Sequence, residues 1–328
     1  MPPLLVITLY CIFALFPVDL QLALFIVFDM VFIVLYIKTC LTEREMFNSF
    51  FKYYVMAAVF TTVFGFLRMA LQWKTAVYIE GEWVYVTRFI ATYNDPNYLG
   101  FFFNVAIFAA IVLKIFRSFA VKFCVVCLLY TALIATLSIT ALICNALGVF
   151  LYFVLAKKIN VKTIAAIAVG IPILILGYHY ALANPVAGVT DAAYKIESKL
   201  DDFRAKDMNS FTTERWSIWE DHFDVYRQQS NTGLLFGGNV INAYVRDKDK
   251  FRKVSHQDFL DMLLNLGLAG TFVMVAFYFL NVKNKFLRFL EFRSEEDIMS
   301  LLIKYIWLFY AFSLTMFPAW MFYLFFFL

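Results

Sequence analysis

The residues of this chain best suited to chemistry at neutral pH are His179, His222 and His256, together with Arg68, Arg88, Arg215, Arg227, Arg246 and Arg252. Arg215 stands in the run T-T-E-R-W-S-I-W. Its guanidinium fork suits a bidentate phosphate contact that Lys cannot copy, and a surface pairing with Glu214 or Trp219 fits the same position. His256 precedes an apolar stretch in S-H-Q-D-F-L-D-M-L-L-N-L-G, a place that serves a proton-transferring imidazole or an interface anchor alike. His222 lies two turns beyond Arg215 on the same helix face, as a supporting partner or, more simply, as a solvated histidine. Arg68 and Arg88 sit near the ends of apolar stretches, where long basic side chains snorkel to headgroups. In N-D-P-N-Y-L-G, Asp95 and Pro96 set a turn and Asn97 is placed to cap the next helix. The free amides of such a helix start favour an anionic group.

These residues need a scaffold, and the composition says which solvent it faces. The 328 residues are 63% hydrophobic and 16% charged, with 40 Phe and a mean hydropathy of +0.75. A soluble domain is about a quarter charged, so this excess of apolar surface calls for lipid. The net charge of +4 comes without a long basic run, which argues against a nucleic-acid partner. The C-x-x-C of Cys124 and Cys127 has no second pair or nearby His to complete a metal site, and the five cysteines read as buried small hydrophobes. The first apolar stretch lacks a basic leader and a small-residue cleavage site, and so reads as a retained span.

About ten spans follow from a need of roughly 20 apolar residues each: Pro3–Phe16, Leu20–Ile37, Tyr53–Leu71, Asn97–Leu113, Phe123–Leu137, Thr140–Ala156, Thr163–Leu182, Phe259–Leu280, Leu301–Phe317 and Ala319–Leu328. Lys114, Arg117 and Lys122 mark one short loop, and Lys157, Lys158 and Lys162 another. The positive-inside rule puts both in the cytoplasm, so the chain between them folds as a hairpin near Ser138. Lys283, Lys285, Arg288 and Arg293 mark a third cytoplasmic loop. Two polar segments then lie outside, Gln72–Pro96 and Ala183–Asp258. The expected architecture is an all-α membrane protein with transmembrane helices in 1–182, a large extracytoplasmic loop in 183–258, and further transmembrane helices in 259–328. In that loop Trp216, Trp219, Phe223 and Tyr226 recur at helical spacing. Thr212 or Thr213 is able to cap this helix with Glu214 in its first turn, and the stripe reads as packing on the membrane domain. The histidines and these arginines fall on the outer side, whereas Asp29 is the clearest charge within a span.

Three separated features together resemble the bacterial O-antigen ligase and Wzy-type polysaccharide polymerase superfamily. They are D-P-N-Y-L-G at a span start, R-W-x-x-W followed by L-F-G-G in the long loop, and S-H-Q-D-F-L-D-x-L-L-N-L-G-L-A-G entering the next span. The resemblance covers roughly Arg88 to Leu280 and implies a GT-C-like glycosyltransferase at the outer face of the bacterial cytoplasmic (inner) membrane. It implies a donor glycan on undecaprenyl pyrophosphate and a glycan or lipid acceptor, in the making of lipopolysaccharide O-antigen, capsule or exopolysaccharide. A chain-length regulator and a flippase are implied as partners. By match of residues, Arg215 corresponds to the arginine that holds the pyrophosphate and His256 to the histidine that assists the acceptor hydroxyl. Arg88 corresponds to a further phosphate contact. Many members carry Ser-Arg at the middle hairpin, where this chain has Ser138-Ile139, so that phosphate contact is either missing here or supplied by Arg68 or Arg88. The loop pattern G-x-G is here Gly237-Gly238-Asn239, a mild change because Asn tolerates the left-handed conformation. With no aspartate pair near these residues, neither a cofactor nor a divalent-ion requirement is expected.

The reading that follows is a polymerase of lipid-linked repeat units, with a ligase onto lipid A core or protein as its nearest rival. A flippase for the same lipid is the rival from another class. It would show paired repeats and midplane polar sites, for which only Asp29 speaks. A non-catalytic scaffold would tolerate loss of Arg215 and His256.

Overall fold

A computed structural model describes residues 43–71, 75–79, 82–86, 89, 96–136, 138–156, 201, 204–205, 215–237 and 257–312. The expected spans at 3–16, 20–37, 163–182 and 319–328 lie outside these residues, as do Asp29 and His179. The chain divides into a middle unit, residues 51–212, and a C-terminal unit formed by 213–328 with residues 1–50.

Helix α1 (Arg44–Ala70) begins well ahead of the expected Tyr53 and is divided between the two units, residues 44–50 going with the C-terminal one. After it comes an antiparallel hairpin of β1 (Thr75–Ile79) and β2 (Glu82–Val86), in register from Thr75↔Val86 to Ile79↔Glu82. The all-helical expectation did not include this hairpin. Its signal was present in T-A-V-Y-I and E-W-V-Y-V, which are rich in β-branched and aromatic residues.

Helices α2 (Pro96–Val112), α3 (Phe119–Ala135) and α4 (Ile139–Leu155) agree closely with the fourth, fifth and sixth expected spans. Each has 17 residues and so rises about 26 Å, slightly less than a bilayer core. The turn between α3 and α4 centres on Ser138, whose hydroxyl accepts from the Ala141 amide and caps α4. At the other end of the trio, Lys122 donates to the Ile111 carbonyl at 2.6 Å, neutralising the end of α2 with a cation. Cys144 is buried, but Cys124 and Cys127 are exposed on α3, which corrects the expectation that all the thiols pack inside.

The C-terminal unit holds α5 (Arg215–Arg227), α6 (Asn231–Phe236), α7 (Asp258–Phe292) and α8 (Glu295–Ala311). The basic segment Lys283–Arg293, expected to be a loop, is helical as far as Phe292. Arg293 then turns the chain in the left-handed region, at φ 51° and ψ 36°. A reciprocal cap starts α8: Ser294 accepts from the Asp297 amide and donates to the Asp297 carboxylate at 2.6 Å. Asp297 also pairs with Arg288 at 3.1 Å, and Glu296 with Arg44 at 2.7 Å. Farther along, Tyr278 stacks on Trp307 with centroids 4.7 Å apart and donates to the carbonyl of buried Lys304.

Helices α1 and α7 are long and apolar enough to cross a bilayer, and α2, α3 and α4 are shorter apolar helices. Large apolar side chains point outward from them: Phe119 is 81%, Phe272 73% and Phe60 68% exposed. Water would penalise such surface and lipid would not.

Candidate functional site

In the middle unit, the D-P-N-Y-L-G motif starts α2 at Pro96, which is favoured at a first helical position because it has no amide hydrogen to satisfy. Asp95 lies outside the described residues. Asn97 has a partner that the sequence alone did not identify, for its side-chain oxygen accepts from the Ser138 hydroxyl at 2.6 Å. One turn pair deeper, the Asn104 amide donates to the Ala141 carbonyl at 3.0 Å, and Asn145 donates to Asn104 at 2.8 Å. These bonds bring the start of α2 and the α3–α4 turn to one end of the trio, as alternating spans require. Ser138 is therefore engaged both as a helix cap and as the partner of Asn97.

Arg68 is half-buried in the last turn of α1, while Arg88 lies outside the described residues. Their chain neighbours do meet: Phe66 of α1 contacts Phe89 at 4.8 Å, and Phe89 contacts Phe103 of α2 at 6.3 Å. Phe89 is fully buried, so the backbone next to Arg88 is anchored at the end of α1 that carries Arg68.

In the C-terminal unit, Arg215 is the first residue of α5, and its side chain and residues 212–214 lie outside the described set. So does His256. Gln257 is the N-cap of α7, with φ −152° and ψ 113° and no side-chain cap bond. Packing joins the two helices: Trp219, Val225 and Tyr226 of α5 rest against Leu260, Leu263 and Leu264 of α7. His222 is 5% exposed, and because a carbonyl oxygen only accepts, it is the Nδ1–H of His222 that donates to the Ile218 carbonyl at 2.6 Å. The expectation of a solvated His222 is thus corrected, because its helix face is the one turned inward. The aromatic stripe also divides. Trp219 and Tyr226 pack inward, whereas Trp216 and Phe223 are 44% and 43% exposed.

A close backbone contact in this unit joins two of the sequence motifs through their glycines. Helix α6 ends at Phe236, and Gly237 of the L-F-G-G motif follows as its C-cap at φ 92°. Helix α7 is broken at Gly267 of N-L-G-L-A-G, with φ 65° and ψ −174°, a conformation essentially reserved for Gly. A methyl group on Gly237 would lie 2.1 Å from the Asn265 carbonyl oxygen, and one on Gly267 would lie 2.4 Å from the Gly237 nitrogen. Backbone therefore meets backbone with no room for a side chain on either strand of the contact. Tyr226 completes the clamp by donating to the Leu234 carbonyl at 2.9 Å, and burial pushes its phenol pKa up. The glycine pattern was visible in the sequence, but that its two copies touch was not.

The clamp fastens the loop helices, headed by Arg215, to the helix that His256 introduces. No curated protein and no solved structure matches the chain. Residues 123–275 do match the model of the O-antigen ligase family, a stretch from α3 through α4, α5 and α6 into α7 past its break. Both glycines of the clamp lie inside that stretch, so the contact between them falls within the part of the chain that is similar to the O-antigen ligase family.

Proposed function

We propose that this protein polymerises oligosaccharide repeat units carried on undecaprenyl pyrophosphate, at the outer face of the cytoplasmic membrane and with about ten spans. The observation that carries the proposal is the Gly237–Gly267 clamp, because it ties together the two motifs on which the transfer residues stand. Arg215 holds the pyrophosphate of the donor, aided by Arg68 and Arg88. His256 takes the proton of the acceptor hydroxyl as its oxygen attacks the anomeric carbon. The bond from that carbon to the pyrophosphate oxygen breaks, and the pyrophosphate leaves on its lipid with the charge spread over its oxygens. Fixed arginines stabilise that charge, each contact being worth about 10²–10³ in rate, and the base contributes about 10²–10⁴. Asn97 and His222 act as positioning residues, the first through Ser138 and the second through the α5 backbone.

The family's own description favours a second reading, a ligase that moves a finished glycan to lipid A core. One experiment separates them: glycan ladder formation in a host lacking its own polymerase, at matched membrane levels of wild type, Arg215→Ala and His256→Ala. A ladder from wild type, lost in both variants, is the expected result, and it is expected to survive EDTA. Single units capped onto lipid A without a ladder would favour the ligase. A ladder retained by both variants would overturn the residue roles.

A further inference from the structure

The exposed side of α5 carries a strip that the transfer site leaves unused. Trp216, Glu220, Phe223 and Arg227 stand at i, i+4, i+7 and i+11, within an arc of about 60° on a helix of 3.6 residues per turn. The strip is about 17 Å long. Ile218 and His222 are buried on the opposite side, so the strip is not the face that holds α5 in place. Its ring is also braced: the Trp216 indole N–H donates to Glu220 at 2.8 Å, and Trp219 backs it at a centroid distance of 6.3 Å. Large aromatic rings aligned and braced outward, with charged groups between them, have the chemistry of a ligand surface.

The geometry points to a saccharide platform, on which sugar rings of the transferred glycan lie along α5 beginning one residue after Arg215. The C–H faces of pyranose rings stack on Trp216 and Phe223. Their hydroxyls donate to Glu220 and accept from Arg227, a pairing open to carboxylate and guanidinium groups. Charge argues against a lipid surface as the occupant. Among the described side chains, this side offers Glu220 and Asp224 against Arg227, and Asp224 already pairs with Arg227 at 3.6 Å. A helix resting on anionic headgroups is rich in Lys and Arg instead. The platform rests on the glycosyl-transfer reading proposed above and adds to it where the sugars lie.

The test is a saturation-transfer NMR titration of the full chain in nanodiscs. The probe is the repeat-unit oligosaccharide released by mild acid from the lipid-linked precursor that accumulates when the gene is deleted. Saturable binding is expected for wild type and for His256→Ala. Binding is expected to weaken at least about tenfold in Trp216→Ala, as one well-made contact allows, and less in Phe223→Ala and Glu220→Gln. In ladder assays Trp216→Ala is expected to raise KM while kcat holds. Unchanged binding in folded Trp216→Ala and Phe223→Ala would overturn the platform, and so would no saturable binding by wild type. Strong quenching of the Trp216 emission by brominated lipid, read as wild type minus Trp216→Phe, would also overturn it in favour of a membrane contact. Platform binding without ladder formation in any host would leave the platform standing while the transfer reading fails, so the two fail separately.

Discussion

In the middle unit, the side chains that bond at the Ser138 end and deeper between helices are neutral: Ser138 to Asn97, Asn145 to Asn104, and Asn104 to the Ala141 carbonyl. The C-terminal unit contrasts with this. Its ion pairs between helices lie where α7 gives way to α8, as Arg288 with Asp297 and Arg44 with Glu296, and its close contact at the break in α7 uses no side chain at all. The difference teaches how each unit tolerates burial. A neutral amide between apolar helices is cheap once its bonds are closed, which suits a static scaffold. A loop that must be held to a helix at one defined position gains more from a backbone contact that only glycine permits.

The largest effect that would break this comparison is expected at the clamp. Gly267→Ala and Gly237→Ala combine a forbidden φ with overlap against backbone, together about 4 kcal/mol. Thermal unfolding of the purified protein and ladder formation should both collapse. Gly233→Ala, at an ordinary φ and with its new methyl meeting the Gln229 side chain at 3.1 Å rather than backbone, should cost about 1–2 kcal/mol, clearly less than either clamp variant. Equal tolerance of all three would mean that the clamp is not what fixes α6 to α7.

A middle-sized effect sharpens the other half. Asn104→Leu removes the acceptor that Asn145 uses and should destabilise by about 1–2 kcal/mol in a thermal melt. Adding Asn145→Leu should recover part of that loss, because no orphaned amide then remains. A double variant as unstable as the sum of the singles would show that the two amides act independently.

The smallest effect concerns pH. Burial opposes the charge on Glu296, but backbone contact, the Arg44 guanidinium and Asn48 outweigh it and hold its carboxyl below the usual range. A group depressed on folding stabilises the native state above its unfolded pKa, and that gain fades as pH falls through the folded value. Relative to Glu296→Gln, wild type should therefore lose stability between about pH 6 and about pH 3. The loss should not exceed about 0.5 kcal/mol, since the Arg44 side chain is 68% exposed. A melt in which wild type and Glu296→Gln change equally would remove the pair from the account.

Hydropathy and charge alone placed α2, α3 and α4 and their hairpin at Ser138, because a lipid solvent makes long apolar runs helical and leaves cations in the short loops. The spacing of Trp219 and Tyr226 likewise foretold a helix with an inward aromatic face. The same spacing said nothing of Trp216 and Phe223 facing out, since a stripe fixes the period of a helix but not which part of it a neighbour covers. Local pattern also misjudged Lys283–Arg293: charges suggested a loop, yet these residues are good helix formers and α7 simply continues through them. That Asn97 meets Ser138, and that Gly237 meets Gly267, only the tertiary structure decided. Both contacts join residues far apart in the chain, and a sequence records which conformations a residue tolerates but not which distant backbone will fill the space left beside it.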